Sequence, residues 1–527
     1  MRIKELLLEY LKRDYKKIIL WILGLGLFAG GFVPAFIEIA KDSGLEGIKA
    51  TLENPAMIAL VGNTPDTEYT VGAMYSHTML LFSAVFAMII SIMHIIKHTR
   101  KEEESGLTEQ ILSFKLNKLS PSISLLLENI IINITLGIFI TLIMVITGDA
   151  SITIRGSILF ALSISLAGIF GGSIAHFFAQ IMPSSSNTTI SSLALIGILF
   201  ILRGITDITY TSFSYLNPLA WTYLTYPFTN NNYHLLFLLI LLIIIISLIS
   251  LNLEKNRDLG SSYIKEKEGR KEAKKSLLSI RGLFIRLNKK TIISYLLGFF
   301  ILGASYGAVY GDMHTFLESN ELIKNMFTYT GVSIEESFTA VIMMIMVMII
   351  TVLPIVIINK LYTEEKNLNQ LLSTKITRKE LFFSNINIAI ITSFIGIILT
   401  AIGLGGTALY VMENSTMTFS DFLAAGINYF PAILFFIGLT SITIGYFPKF
   451  RKTIYIYLGY SFIINYFNNI LNIPNYILKT TIHSYIPAYP IHFFNLGTFF
   501  TITLISIILI VIGYQGYKKK IYTINLF

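Results

Sequence analysis

Twelve apolar runs, each of roughly twenty residues, constrain this chain more than any other feature of its sequence. They lie at Ile18–Ile39, Met74–Ile96, Ile123–Thr147, Ile154–Ile181, Asn187–Asp207, His234–Leu251, Ile292–Asp312, Ser337–Ile358, Asn385–Val411, Phe422–Phe447, Thr453–Ile473 and Leu496–Tyr514. A helix of about 20 apolar residues covers the hydrocarbon thickness of a bilayer. Inside that layer the backbone must satisfy its own hydrogen bonds, and an uninterrupted apolar run does so as a helix. The expected fold is therefore an all-α polytopic membrane protein with about 12 transmembrane helices. Charged residues are 13% and hydrophobic residues 54% of the 527, against about 25% charged in soluble chains, which excludes a water-soluble enzyme and a disordered chain alike. With no cysteine, disulfides, thiolate metal sites and cysteine nucleophiles are excluded as well. The first run is of span length and lacks a small-residue cleavage site, so it is expected to remain as the first span.

The net charge of +9 resembles a nucleic-acid signal until the positions are read, because the charges flank the apolar runs. If the N-terminus is cytoplasmic, the inward-facing segments carry 34 of the 40 Lys and Arg. Such a bias orients a polytopic chain with its basic loops inside, so both termini are expected in the cytoplasm of a bacterial cell, with the lipid bilayer and not nucleic acid as partner. The only long polar stretch, 252–290 with its KEKEGRKEAKK core, divides the spans six and six. The organisation expected is a first half at 1–251, a cytoplasmic linker at 252–290 and a second half at 291–527.

The halves repeat. After the second span come Glu102, Glu103 and Glu104, then Gln110, Ile111, Leu112, Ser113 and Lys115; after the eighth come Glu364 and Glu365, then Gln370, Leu371, Leu372, Ser373 and Lys375, offset by 260 residues from Gln110 onward. Each half closes with a Tyr- and Pro-rich outer loop, SYLNPLAWTYLTYPF at 214–228 and SYIPAYPIHFF at 484–494. Six spans per half is an even number, so the repeats run parallel. Glu109, Ile111, Leu112 and Lys115 fall at helical spacing, which predicts a short amphipathic helix under the membrane. A single copy would read as a solvated loop; two copies suit a transport domain that takes a push from an outside motor. No motor lies in the chain, since no Gly is followed by Lys and a phosphate-cradling P-loop needs that pair.

These residues resemble the permease subunits of ABC exporters of the tetronasin or polyketide-antibiotic type, a branch of the type-2 exporter permeases, over nearly the full length. The matching motifs are Glu103, Glu104, Ser105, Gly106, Leu107, Thr108 and Glu109 after the second span; Asn217, Pro218, Leu219, Ala220 and Trp221, then Pro227 and Phe228, before the sixth; Arg257, Asp258, Leu259 and Gly260 opening the linker; and Gly282, Leu283, Arg286 and Leu287 opening the second half. Asn217 and Ala220 replace the family's Ser and Gly, and Lys366 and Asn367 stand where the second half would carry the Glu-Glu-x-Gly glycine. The resemblance implies the type-2 exporter permease fold and no enzyme activity in this chain. It implies ATP and magnesium bound by a separate ABC ATPase, two copies per permease chain, and a hydrophobic or amphipathic cargo of antibiotic or drug type moved outward. Coupling to the ATPase falls to Glu103, Glu104, Gly106, Glu109, Ile111 and Leu112, and to Glu364, Glu365, Leu371 and Leu372. It also implies short re-entrant helices in the aromatic outer loops.

Polar groups within spans are functional candidates. Arg203 and Asp207 lie four apart, either as a local pair with Arg203 snorkelling to the interface or as part of a substrate path or gate. Met344 and Met348, in a methionine run, are core packing or a flexible wall for varied apolar cargo; Trp221 belongs to the aromatic belt or the outer gate. Glu128 caps or pairs near the cytoplasmic face, with proton carriage as its other role, and His176 and Gln180 suit interhelical hydrogen bonding better than metal binding. A helix is expected around Leu45–Glu53. A proton-coupled twelve-span drug transporter would need mid-membrane carboxylates that the spans almost lack, and a membrane-embedded enzyme would need a His, Asp and Glu cluster at one face that the sequence does not display. No metal site and no catalytic residue is expected. The charge bias predicts that a cysteine placed at Lys265 or Lys519 escapes impermeant thiol reagents in intact cells while one at Asn231 is labelled; labelling at Lys519 in sealed cells reverses the orientation.

Overall fold

Apolar runs this long become long helices. The computed structural model describes residues 3–40, 52–53, 55–65, 67–114, 116–147, 149–265, 272–312, 332–365, 376–412, 417–466 and 473–519, with isolated positions between them. Among these residues the chain is all helical without a strand, and eleven helices are long and apolar enough to cross a membrane. The protein is a polytopic all-α membrane protein. It separates into two compact units, Met1–Gly269 and Arg270–Phe527, the division falling inside the polar stretch 252–290.

The first unit contains α1 (Ile3–Gly30), α2 (Val33–Ile39), α3 (Pro55–Val61), α4 (Val71–His98), α5 (Arg100–Glu104), α6 (Leu107–Leu112), α7 (Ser120–Ile146), α8 (Ile154–Ile181), α9 (Ser185–Thr209), α10 (Thr211–Ser214), α11 (Ala220–Tyr223) and α12 (His234–Asn256). The sequence predicts an unbroken first span from Ile18; instead α1 begins at Ile3 and breaks after Gly30. The early start follows from the burial of Leu6, Tyr10, Asp14 and Ile18, four apart along one face. The break follows from Gly31 and from Pro34, which sits in the first turn of α2 where its missing N–H leaves no bond unmade. The helix expected around Leu45–Glu53 falls largely outside the described residues, and α3 follows it. At the centre stands α8, packed against α4, α7 and α12. Its run of Ala167, Gly168, Gly171, Gly172, Ser173 and Ala175 lets neighbouring backbones approach closely, as at small-residue helix interfaces in membranes.

The second unit contains α13 (Ile280–Gly307), α14 (Ile334–Glu365), α15 (Arg378–Val411), α16 (Phe419–Asn428), α17 (Phe430–Tyr446), α18 (Thr453–Tyr466), α19 (Asn475–Leu478) and α20 (Leu496–Lys519). Thr377 opens α15 with a capping box to Glu380, which starts that helix seven residues before the apolar run predicts. The tenth span divides at Tyr429, since Pro431 cannot continue a helix from within and starts the next one instead. Of the eleventh predicted span, Thr453–Ile473, α18 accounts for fourteen residues, and most of the rest lies outside the described residues.

The tightest pairing in this unit joins α13 to α15. A Cβ on Gly303 would stand 2.5 Å from the Thr400 carbonyl oxygen, and one on Gly403 would stand 2.8 Å from Ala304 N. Gly403→Leu is therefore expected to force the helices apart and lower stability by about 1–3 kcal/mol, read as a lower unfolding temperature of the detergent-purified chain. Gly406→Leu, on the same helix with no atom within 4 Å of its Cβ position, should leave that temperature unchanged.

Candidate functional site

Where α4 ends, the chain turns twice and builds a two-helix knob from α5 and α6. Gly106, between them, adopts φ of +77° with nothing within 4 Å of a Cβ, so the requirement for glycine there is the left-handed backbone alone. The knob is fastened by charge. Arg257 grips the Glu103 carboxylate with two parallel bonds, Nη1 to Oε1 at 2.7 Å and Nη2 to Oε2 at 3.0 Å, and the Gly260 amide donates to Oε1 at 2.6 Å. Such forked pairs are the strongest of the ordinary ion pairs. Arg100 adds a bond to Glu103 Oε2 at 3.1 Å and donates to the Pro183 and Ser261 carbonyls. Arg257 Nε reaches Gln180 Oε1 at 3.1 Å, and Glu104 accepts from both the amide and the hydroxyl of Ser185 at the start of α9. The knob is thus tied to the end of α8, the start of α9 and the stretch following α12.

The residues singled out by sequence occupy different places. Glu103 and Glu104 are spent on internal bonds. Glu109 is exposed, while Ile111 and Leu112 are half-buried. Ile111 borders a cavity of about 30 Å³, room for a single water, together with Tyr10, Thr108 and Leu259. Phe114, unremarked in the sequence, is the most open apolar residue of the knob at 71% exposure. In the second unit Glu364 and Glu365 end α14, and Leu371 and Leu372 lie outside the described residues.

Beside the knob, α1, α4 and α7 assemble a cluster of His, Asp and Glu that the sequence alone does not display. Asp14 accepts from Lys97 at 2.7 and 2.9 Å, from Lys17 at 3.2 Å and pairs with His98 Nε2 at 2.7 Å. His98 Nδ1 and the Arg13 guanidinium both meet Glu102 Oε1, at 2.7 and 2.8 Å. His94 Nε2 pairs with the fully buried Glu128 at 3.1 Å. Ligand atoms of Asp14, His94 and His98 lie within 4.8 Å of one another, a spacing fit for a metal ion. Asp14, however, already faces Lys17 and Lys97, and His98 faces Arg13, so a divalent cation there would sit near three positive side chains. His94 meets only Glu128 through Nε2, and its Nδ1 has no hydrogen-bond partner. His176 and Gln180 behave as interhelical polar partners: His176 meets Ser250 and, at 3.2 Å, Glu254 on α12.

At the opposite end of the same unit Arg203 does not snorkel. It is fully buried, because bonds to the Ala59 and Leu60 carbonyls at 2.6 Å and to Asp207 at 3.1 Å stand in for water. Its guanidinium also lies over the Phe200 ring at 4.5 Å. Asp207 takes two further bonds at 2.5 Å, from the Tyr223 and Ser214 hydroxyls, and burial followed by that carboxylate pushes the Tyr223 phenol upward. The pair clamps α3, α10 and α11 to α9. Trp221 donates to the Tyr215 carbonyl at 2.7 Å and packs on the core of the unit. In the second unit Met344 lines a cavity of about 390 Å³, whereas Met348 is buried in a cluster with Phe436. Met344 also packs against that cluster, so the two methionines share one apolar neighbourhood and differ in that Met344 reaches the cavity.

Residues 277–518 match the family described as "Multidrug efflux system permease Rv1217c, C-terminal domain". The chain is also 25% identical over 407 residues to the multidrug efflux system permease protein Rv1217c of Mycobacterium tuberculosis, covering 76% of this chain and 73% of that protein.

Opening the clamp should loosen the knob. Glu103→Ala leaves Arg257 with Gln180 and the Ser261 carbonyl, and Arg257→Ala leaves Glu103 with Arg100 and the Gly260 amide, so each is expected to lower stability by about 1–3 kcal/mol. In the double variant the loss should fall short of the sum. Unfolding temperatures of the single and double variants measure this, and strictly additive losses would dissolve the pair.

Proposed function

We propose that this chain is the permease of an ATP-driven efflux system, carrying hydrophobic or amphipathic, drug-like compounds out of a bacterial cell across the plasma membrane. Both termini lie in the cytoplasm, and the chain is of the tetronasin type within the type-2 exporter permeases. The chain is not itself an enzyme: ATP and magnesium are bound by two copies of a separate ABC ATPase.

The observation that carries the proposal is the knob. A helix pair tied to the ends of three spans by buried ion pairs moves as one body with those spans, so a push on it reaches them without being absorbed locally. Its outward residues, Glu109, Gln110 and Phe114, offer an aromatic anchor beside polar groups, a composition suited to the centre and rim of a protein contact. The similarity to a multidrug efflux permease supports the cargo class, and the absence of a Gly-Lys phosphate loop in the sequence supports a separate motor.

One observation favours a second mechanism, proton-coupled drug transport. Glu128 is fully buried against His94, and its Oε1 together with His94 Nδ1 has no partner, as a proton-handling pair would require. Transport assays separate the two. In proteoliposomes holding the chain and its ATPase, a fluorescent hydrophobic dye should move on addition of ATP, stop with vanadate and ignore an imposed pH gradient. Transport driven by the gradient without the ATPase would establish the second mechanism. Native mass measurement should find one permease chain with two ATPases. Ile111→Asp should remove ATP-driven transport at unchanged membrane insertion, since loss of an apolar contact residue costs roughly 1–3 kcal/mol.

A further inference from the structure

The two units fasten their aromatic outer loops with bonds of unequal strength. In the first, the buried Arg203 and Asp207 hold carbonyls of α3 and the hydroxyls of Ser214 and Tyr223. Ser76 of α4 adds a bond to the Pro227 carbonyl at 3.1 Å. Undoing that lock would strand buried charge. Little space lies beside it: the cavity next to Tyr223 has a volume of about 10 Å³.

The corresponding loop of the second unit has a fixed part and a looser one. Thr481, His483 and Ile486 are buried and anchor the first part, and the Thr480 carbonyl takes a bond from Tyr457 of α18 at 3.0 Å. From Pro487 to Phe494 no residue is buried. Asn495 then caps α20 by accepting from the Thr498 amide at 3.0 Å, so the intervening stretch is a strap fixed at both ends. Among the described residues two hydrogen bonds tie it to a span, both to α16. Asn428 donates to the Pro487 carbonyl at 2.6 Å, and the Tyr489 hydroxyl donates to Asp421 Oδ1 at 2.7 Å. Asp421 is held in place to accept, because its other oxygen takes the amide and the hydroxyl of Thr418 at 2.8 Å each. Donating to that carboxylate pushes the Tyr489 phenol up to about 12, so it remains a donor at neutral pH. The Tyr489 ring also rests half-buried on the apolar cluster of Met343 and Phe422.

Behind the strap lies a cavity of about 390 Å³, lined by its Pro487, Ala488, Ile491 and His492 and by Met344 of α14 and Asn465 of α18. Water can replace a partner at a half-exposed bond, whereas a buried charge has no such substitute. Of the two outer loops, the strap is the one that opens at small cost, and it is the one with space behind it. We propose that residues 487–494 are a gate: released from Asp421 and Asn428, the strap lifts off the cavity and opens it to the outer face. The inference rests on the efflux function proposed above for what leaves, and gives that cargo an exit.

The chain has no cysteine, so a single one placed at Met344 reports on the cavity. Full-length Met344→Cys protein in intact cells is treated from outside with a bulky, impermeant maleimide. Labelling should be slow beside that of Phe493→Cys, a position 96% exposed. Where opening is a rapid pre-equilibrium, the labelling rate follows the open fraction. Tyr489→Phe keeps the ring and removes the latch hydroxyl, and should raise the Met344→Cys rate about twofold to tenfold, the range of one hydrogen bond. Asp421→Asn takes the charge from the acceptor and should raise it less; this variant decides if Tyr489→Phe does not insert. Tyr485→Phe takes a hydroxyl from an exposed ring ahead of the strap and should change nothing. The gate is overturned if Met344→Cys labels as fast as Phe493→Cys, if the latch variants leave its rate unchanged, or if Tyr485→Phe raises it equally. Labelling needs neither ATPase nor cargo. Latch-sensitive labelling without ATP-driven export therefore overturns the efflux function and leaves the gate, whereas export with latch-insensitive labelling does the reverse.

Discussion

A charge taken out of water must be given back an opposite charge or a set of dipoles, and the first unit is organised around meeting that demand. Its buried ionic groups gather at the two ends of the helices. At one end Glu103 is held by Arg257, Arg100 and the Gly260 amide, and Asp14 is held by Lys97, Lys17 and His98. At the other, Arg203 and Asp207 complete each other with carbonyls of α3 and the hydroxyls of Ser214 and Tyr223. Removing one member of such a set strands the rest in a medium that cannot solvate them. That is why these contacts act as fasteners, and why the segments they hold behave as extensions of the spans.

The second unit depends on shape more than on charge. Hydrocarbon tails are as apolar as leucine, so helices in lipid gain little by burying apolar surface and associate through close packing. Gly303 on α13 and Gly403 on α15 bring two backbones nearly into contact. Gly445 and Gly513 do the same for α17 and α20. Close packing on these seams coexists with an open cavity beside α14 and α18, lined by Met344 and Tyr429 together with Asn465 and Asn468.

This difference bears on the proposed function. An efflux permease driven from outside the chain would need to be stiff where force enters and adaptable where cargo is met. The first unit has a knob fastened by ion pairs at one end and a filled, clamped loop at the other, which suits the first need. The second leaves a cavity between α14, α18 and the loop that follows.

Much of the architecture was legible in the sequence because hydrocarbon thickness and backbone satisfaction leave few choices. Span-length apolar runs had to become helices. The Arg257 to Gly260 motif was visible as a pattern, but its purpose was not. Nothing in the sequence says that Arg257 meets Glu103, 154 residues away, or that Asp14, His94 and Glu128 converge, because long-range pairing depends on which helix faces turn toward each other. Arg203 shows the same limit: spacing placed it beside Asp207, while only the carbonyls of Ala59 and Leu60 near the end of α3 explain why it stays buried instead of reaching for water. Met344 and Met348, one turn apart in sequence, pack on one cluster with Phe436, and only Met344 also reaches the cavity beside α18. Sequence determined the all-helical, membrane-crossing character, since hydropathy and length act locally along the chain. Tertiary structure decided which charges are fastened and to which partners, since pairing requires parts of the chain that composition cannot bring together.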